Sequence, residues 1–326
     1  MNDNSLIVGK DLRVWFGIRK TFFSKPIYVK AIDGVTISIK KGETVAVVGE
    51  SGCGKTTLGK TLLKLYKPTS GEIIYDGKRI DTLDEKDLKW YRREAQIIYQ
   101  DPYSSLNPFF TIERILMEPL IINEIGNSIQ ERREIVYRAL RDVKLEPPEL
   151  FANKYPHMLS GGQRQRVAIA RSLITNPRFI VADEPVSMLD ASVRVEIMYL
   201  LRNIQEKYGT SFLYITHDVS TVKYFSDTIN IMYAGKIVES GPVREVLANP
   251  LHPYTQALIE AIPDPDPANR KMRRSVPAGE PPSLINPPSG CRFHPRCPYF
   301  IKGKCEVIEP VLIEKMLNHK VACHLY

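Results

Sequence analysis

The sequence predicts an α/β fold carrying an inserted helical subdomain and a small irregular C-terminal extension. Three observations predict it. The apolar run "TVAVVG" leads straight into the glycine loop "GESGCGKT" and then into an amphipathic segment, which is the strand-loop-helix opening of an α/β unit. Two further continuous apolar runs, "FIVADEP" and "SFLYITHD", each end in polar residues, as strands do where open sheets collect ligands. Between the glycine loop and those runs, residues from about 101 to 175 read as mostly helical.

Each element follows from its local pattern. Val35, Ile37 and Ile39 alternate as in a half-buried strand, and Lys40-Lys41-Gly42 makes a turn. "KTTLGKTLLKLY" has helical spacing, with Leu58, Leu62, Leu63 and Leu65 on one side. "TIERILMEPLII", "IQERREIVYRALRDVKL" and the segment after Leu159 are the helices of the insertion. "TINIMYAGKIVESG" reads as a hairpin turning at Ala234-Gly235. Then "PDPDPANRKMRRSVPAGEPPSLINPPSG", rich in proline and poor in apolar residues, predicts an extended irregular connection. No internal repeat is visible. The predicted division is a main domain over 1–250, with its helical subdomain at about 101–175, and an extension over 251–326.

Composition bounds the function. At 326 residues, 43% hydrophobic and 25% charged, the chain suits one large globular domain and a smaller one. A formal charge of +8 points to anionic contacts, but no basic block exceeds a few residues, so a solvated basic face is the plainer reading and no nucleic-acid partner is expected. No apolar run approaches the ~18–20 residues that span a bilayer. "MNDNSLIVGKDLRVW" lacks the pattern of a signal peptide, so a cytosolic protein is expected. Four of the five cysteines fall in the last 36 residues, and a reducing compartment argues against disulfides.

"GESGCGKT", Gly49 to Thr56, fits the phosphate-loop pattern G-x-x-x-x-G-K-[ST] in its required place between strand and helix. This assigns the P-loop NTPase class. Gly49, Gly52 and Gly54 let backbone amides, that of Ser51 included, converge on phosphate oxygens. The helix beginning near Lys55 adds its positive end. Lys55 reaches the β- and γ-phosphates, and Thr56, followed by Thr57, ligates Mg²⁺. Cys53 stands at a variable position and reads as a space-filler.

Asp183 and Glu184 lie at the carboxyl end of a buried strand. Asp183 suits the Mg²⁺ side, and Glu184 suits a general base or water-positioner aimed at the γ-phosphate. Alone, such a pair is as well read as two solvated acids opening a loop. A lone histidine ending a strand is more often structural. With a phosphate loop on a neighbouring strand, a γ-phosphate contact becomes the better reading of His217.

"LSGGQRQRVAIARSL" has no nucleophile with an activating base and no metal ligand. Ser160, Gly161 and Gly162 precede Val167, Ala168, Ile169 and Leu173, which recur helically. The stretch is therefore a helix N-terminus with a hydroxyl and exposed amides, an anion site with no lysine of its own. Such a half-site makes sense as a lid over nucleotide held by another polypeptide.

The ordered set "GESGCGKTT", "YQDP", "LSGGQRQRVAIARSL", "VADEPVSMLD" and "THD", spanning roughly Leu6 to Leu247, resembles the nucleotide-binding domain of ABC transporters, a RecA-like P-loop fold. The resemblance implies two such domains paired head-to-tail, with Ser160, Gly161, Gly162 and Gln163 of one capping ATP on the phosphate loop of the other. It implies that Gln100 senses Mg²⁺ and the attacking water, that Asp190 crosses to the partner, and that Asp183, Glu184 and His217 are the magnesium-side aspartate, catalytic glutamate and switch histidine. Phe16 best matches the aromatic that stacks on adenine, with Trp15 and Tyr28 as alternatives because the insertion "IRKTFFSKPIY" disturbs the spacing.

The tail has Cys291, Cys297, Cys305 and Cys323 at spacings C-x5-C-x7-C-x17-C. Clustered thiols of this kind suggest a metal, Zn²⁺ or iron–sulfur, yet the spacing matches neither paired zinc knuckles nor a ferredoxin run. His294 and His324 are substitute ligands on chemistry alone. "NPLHPYTQALIEAIPDPDP" and "CRFHPRCPY" resemble the C-terminal extension of oligopeptide, dipeptide and nickel importer ATPases, which implies a [4Fe–4S] cluster on the four cysteines, pinning a short coreless tail. "GGQRQR", with Gln163 where D-type subunits usually carry methionine, "DEPVSMLDAS" and the insertion "IRKTFF" resemble the F-type subunit.

The resulting expectation is an ATPase subunit of an importer for peptides or similar small solutes, peripheral on the cytoplasmic face of the membrane. It implies a second, D-type ATPase as partner, two transmembrane permease subunits and, indirectly, a solute-binding protein. Oligosaccharide and nickel transport remain alternatives within the same family. A soluble ABC ATPase working on ribosomes or DNA is the alternative from another class. It fits less well, because the chain has one such domain and no long coiled-coil insertion.

Overall fold

The computed structural model describes residues 4–19, 26–262 and 279–326. Part of the insertion "IRKTFFSKPIY" (20–25) and of the proline-rich connection (263–278) lies outside the described residues. Along the chain come β1 (Ser5–Ile18), β2 (Ile27–Lys40), β3 (Thr44–Val48), α1 (Lys55–Leu62), β4 (Ser70–Tyr75), β5 (Lys78–Arg79) and α2 (Lys89–Glu94). There follow β6 (Ala95–Ile98), α3 (Pro102–Ser105), α4 (Ile112–Ile122), α5 (Ile129–Asp142), α6 (Pro148–Ala152) and α7 (Gly161–Leu173). Next are β7 (Phe179–Asp183), α8 (Ala191–Tyr208), β8 (Ser211–Thr216), α9 (Val219–Phe225), β9 (Thr228–Tyr233) and β10 (Lys236–Pro242). The chain closes with α10 (Val243–Ala248), α11 (Pro253–Glu260), β11 (Ile313–Met316) and β12 (His319–Val321). These elements form two compact units interleaved in sequence.

The first unit takes Ile39–Glu43 and Thr82–Tyr214, with the chain's start up to Leu6. In it β6 runs parallel to β7, from Ala95 opposite Phe179 to Ile98 opposite Ala182. Every residue of β7 is buried. The predicted helical insertion is here as α3 to α7. Its long helices start where a hydroxyl caps an amide three residues on: Thr111 for Arg114, Ser128 for Glu131 and Ser160 for Gln163. Their apolar faces are buried at helical spacing, with Ile112, Ile115, Leu116 and Leu120 in α4 and Val136, Ala139 and Leu140 in α5.

The second unit takes Ile7–Ser38, Thr44–Asp81 and Ile215–Tyr326. One sheet has the order β2-β1-β4-β5, and a second strand array runs β11-β12-β10-β9-β3. Strand β3 is fully buried and parallel to β9, Val45 opposite Thr228 and Val48 opposite Ile231. β9 and β10 form the predicted hairpin, with Ala234 (φ 45) and Gly235 (φ 83) both left-handed at the turn.

Helix α1 is shorter than its leucine spacing suggests. Lys64 is left-handed (φ 59), its N–H donates to the Thr61 carbonyl, and Leu65 N–H donates back to Lys60. That Schellman turn closes the helix, so Leu58, Leu62 and Leu63 are buried while Leu65 is 45% exposed. The C-terminal extension has little regular structure, but β11 and β12 pair, and β12 adds to β10 through Glu239–Val321 and Ser240–Lys320. All four β11 side chains are exposed, so no buried alternation marked it in the sequence.

Candidate nucleotide-binding site

Strand β3 delivers the chain to Gly49, and α1 takes it up at Lys55. The glycines between are sterically required. A Cβ at Gly49 would stand 2.1 Å from the Met232 carbonyl oxygen, and one at Gly54 (φ +109) 2.1 Å from that of Ala31. Gly52 faces open space but has φ +78. Gly54 is the N-cap of α1, and no side chain caps this helix start. Lys55 is buried, its Nζ donating to the carbonyls of Gly49 at 2.7 Å and Glu50 at 3.0 Å. Ser51 and Thr56 are exposed and Thr57 half-buried. Cys53 is buried, and burial pushes its thiol pKa up against the pull of Lys55, which suits a space-filler.

His217 lies exposed just past β8, followed by Asp218, whose carboxylate caps α9 at Ser220 N–H (3.0 Å). Of the three candidate aromatics, Phe16 is 38% exposed and meets Tyr66 only edge-on at 5.4 Å. Trp15 is more engaged: it tilts against Tyr28 at 6.4 Å, lies under the Lys30 ammonium at 4.9 Å, and donates from Nε1 to Asp33 at 3.3 Å.

The remaining motif residues belong to the first unit. Asp183 is buried at the end of β7. Glu184 follows in a left-handed conformation (φ 48), a cost that functional turns often carry. Gln100 Nε2 donates to Glu184 Oε2 at 3.0 Å, so the two are brought together. Ser187 fixes the turn by donating its N–H and hydroxyl to the Glu184 carbonyl. Asp190 is exposed at the N-cap position of α8 and makes no side-chain cap bond there.

Ser160 and Gln163 form a capping box at the start of α7. Gln163 N–H donates to Ser160 Oγ at 3.3 Å, and Ser160 N–H to Gln163 Oε1 at 3.1 Å. A Cβ at Gly162 would lie 2.7 Å from Val193 Cγ1 of α8, whereas Gly161 meets only Leu189 Cδ2, at 3.9 Å. Packing therefore dictates Gly162. It does not dictate Gly161.

The cysteine segment joins the second unit. Cys305 is buried, Cys291, Cys297 and Cys323 are half-buried, and Cys291 N–H donates to the Cys305 carbonyl at 2.7 Å. Burial first, then the charges of the other three thiols, push the Cys291 pKa up to about 11. Burial first raises Cys297 and Cys323 too, helped by Cys323 and Cys305 at the former and by Cys305 and Glu239 at the latter. Among the described residues no three His, Cys, Asp or Glu side chains are gathered closely enough to hold a single metal ion. His294 Nδ1 instead meets the Cys291 carbonyl at 2.9 Å, and His324 Nε2 the Ile308 carbonyl at 2.8 Å.

Sequence reasoning missed four residues here. Arg292 binds the Ala234 carbonyl and the Asp33 carboxylate. Arg296 NH1 donates to both Glu50 oxygens, at 3.0 and 3.2 Å, and Tyr254 OH accepts from Glu50 N–H at 2.9 Å. Phe293 packs among Tyr233, Tyr254 and His252 with ring centroids 5.2, 5.5 and 5.7 Å away. Only two arginines within a cysteine motif hinted at any of this.

Comparison with known proteins gives a consistent set of likenesses. The ABC transporter family matches residues 32–187, and the family "Oligopeptide/dipeptide transporter, C-terminal region" matches residues 238–305. The oligopeptide transport ATP-binding protein AppF of Bacillus subtilis is 45% identical, over 100% of this chain and 98% of its own length. The dipeptide transport ATP-binding protein DppF of Haemophilus influenzae is 45% identical over 96% of this chain and 94% of its own. Among solved structures, the dimeric ATP-binding cassette MJ0796 bound to ADP and Pi is similar with a TM-score of 0.65 and 34% identity, covering 73% of this chain and 99% of that one. The protein cbiO1 of Clostridium perfringens, part of the ABC transporter complex cbiONQ, also has a TM-score of 0.65, at 30% identity, covering 76% of this chain and 92% of that one.

Proposed function

Because this chain belongs to the ATP-binding subunits of ABC transporters, on the oligopeptide/dipeptide importer branch, we propose that it powers uptake of di- or oligopeptides across a membrane. Its enzymatic activity is that of an ABC transporter ATPase. The observation that carries the reading is the pairing of motifs: a lysine-bearing phosphate loop, and a serine-capped, glycine-led helix start with no lysine.

In the proposed dimer, the Gly49–Thr57 loop and Lys55 grip the β- and γ-phosphates, with Phe16 against adenine. Ser160, Gly161, Gly162 and Gln163 of the mate close over the γ-phosphate, and Asp190 reaches across. Thr56, Gln100 and Asp183 would hold Mg²⁺, which neutralises charge on the phosphates. Glu184 takes a proton from the attacking water while the water oxygen bonds to the γ-phosphorus. The bond to the bridging oxygen then breaks and ADP leaves. His217 donates an N–H to the γ-phosphate. The Gln100–Glu184 hydrogen bond supports this assignment, since it keeps the carboxylate oriented before nucleotide arrives.

The proposed partners are a D-type sibling ATPase, two permease subunits and, through them, a solute-binding protein, placing the chain on the cytoplasmic face of the membrane. No helix among the described residues is long and apolar enough to cross a bilayer. A cavity of about 260 Å³ lined by Gln96 of β6, Tyr99 just past it, and Glu118, Pro119, Ile122 and Arg171 of the helical insertion suits a permease segment. The proposed functional division is residues 1–250 for ATP work and 251–326 for the extension. There Cys291, Cys297, Cys305 and Cys323 would hold a [4Fe–4S] cluster. The mutual influence of the four thiols on Cys291 supports grouping them as one ligand set, and the group would cross-link a segment with little core of its own. Iron and acid-labile sulfide in equal amounts in anaerobically purified protein check it, and stoichiometric zinc would reject it.

The central test is Glu184→Gln in the reconstituted transporter. ATP binding should persist while turnover and peptide uptake fall about 10²–10⁴-fold; turnover within ten-fold of the parent would remove Glu184 from this role.

A further inference from the structure

Glu50, the second residue of the phosphate loop, uses every polar group it has. Its carbonyl accepts from Lys55 Nζ (3.0 Å) and Cys53 N–H (3.3 Å). Its N–H donates to Tyr254 OH (2.9 Å), and its carboxylate is held two ways by Arg296 NH1. Lys55, the phosphate-gripping residue, and the C-terminal extension thus hold the same peptide from opposite ends.

The holding parts are rigid. Tyr254 is 1% exposed, and its ring meets Tyr233 at 4.6 Å and Phe293 at 5.5 Å. The Arg296 side chain is 7% exposed, with NH1 also reaching Tyr233 OH at 3.3 Å and the guanidinium within 6.0 Å of the Phe293 ring. Behind them, Arg292 clamps the Ala234 carbonyl in the β9–β10 turn, whose Gly235 N–H donates to Cys53 of the loop at 2.8 Å. Arg292, Phe293 and Arg296 all lie between Cys291 and Cys297 in sequence.

The charge matters as much as the geometry. A carboxylate inside a loop built for a polyanion repels its ligand unless neutralised. We infer that Arg296 and Tyr254 are positioning residues for nucleotide binding: the C-terminal extension neutralises Glu50 and holds the phosphate loop in its ligand-ready shape. The inference rests on the nucleotide-site reading above and deepens it.

Titration of the full-length protein with MgATP and with MgADP tests it. Arg296→Ala should raise both dissociation constants about ten-fold, as an exposed like charge would. Adding Glu50→Gln to that variant should restore them to within about three-fold of the parent, because the repelling charge is gone. Arg296→Lys should fall between. Tyr254→Phe, which removes only the hydroxyl and keeps the ring packing, should weaken binding with little change in thermal midpoint. Two results overturn the inference while leaving the site intact: unchanged affinity in Arg296→Ala, or a double variant no better than the single one. If the parent protein binds neither nucleotide, the site reading itself fails, and the inference with it.

Discussion

Two helix starts in this protein look alike in sequence and are partnered in opposite ways. At α1 the N-cap is Gly54, left-handed and with no side-chain cap, and a buried lysine waits one residue on. At α7 the N-cap is Ser160, reciprocally bonded to Gln163, with no lysine in the helix. The first has no side-chain cap, and its lysine donates to the Gly49 and Glu50 carbonyls. The second is capped within its own helix by the Ser160–Gln163 pair, and in the proposed function it offers its hydroxyl and amides to an anion held by another chain. A glycine-rich helix start therefore says little by itself; in the proposed function the uncapped start is the grip and the capped one the lid.

The comparison can be broken, and its largest expected effect is at the gripping end. Lys55→Ala should weaken MgATP binding by about 100-fold, roughly 3 kcal/mol, in an equilibrium titration of the isolated chain. An affinity close to the parent would deny that this end is the grip. At the lidding end, Ser160→Asp is the sharper change, because aspartate is an equally good N-cap and α7 should stay folded. Steady-state turnover of the assembled dimer should fall about 100-fold from charge repulsion, with single-chain ATP affinity changed by less than about three-fold. Equal losses in both assays would mean the two starts are not distinct in role.

A smaller effect separates the two glycines of the lid. Gly162→Ala drives a methyl against Val193 and should cost about 1–3 kcal/mol in urea unfolding, relieved when Val193→Ala is added. Gly161→Ala should be milder in stability while still impairing turnover, since it meets only a distant Leu189 methyl. The smallest effect belongs to the phosphate-loop unit. Burial lowers the His252 pKa to about 3, whereas the unfolded ring titrates near 6.5. Between those values the unfolded chain binds the extra proton, so stability complete above about pH 6.5 is lost as pH falls, by up to about 1.4 kcal/mol per unit. Unfolding measured at pH 7.5 and 5.5 should show that slope, and His252→Asn, which keeps an N-cap for α11, should flatten it.

Much of the candidate site was legible because its signals are short-range. Gly49 to Thr56 reads as a phosphate loop because strand, glycines and helix follow one another without a gap, and Ser160 reads as a helix start because helically spaced apolar residues follow it. The hairpin at Ala234-Gly235 and the helical insertion were equally plain from period and turn chemistry. Leu65 misled for a local reason too: the leucine spacing continued past a left-handed turn at Lys64 that ends the helix. The β11–β12 pair escaped notice because an exposed edge strand carries no buried alternation.

The sequence by itself determined where each motif sits and where most helices begin, since those depend on residues within a turn or a strand of one another. Only the tertiary structure decided that Glu50 is gripped by Arg296, 246 positions away, that Val193 forbids a side chain at Gly162, and that Phe16 rather than Trp15 is the less engaged ring. The reason is physical: such contacts depend on how strands register and helices pack across the fold, and no periodicity along the chain records which distant side chains that packing will bring within 3 Å.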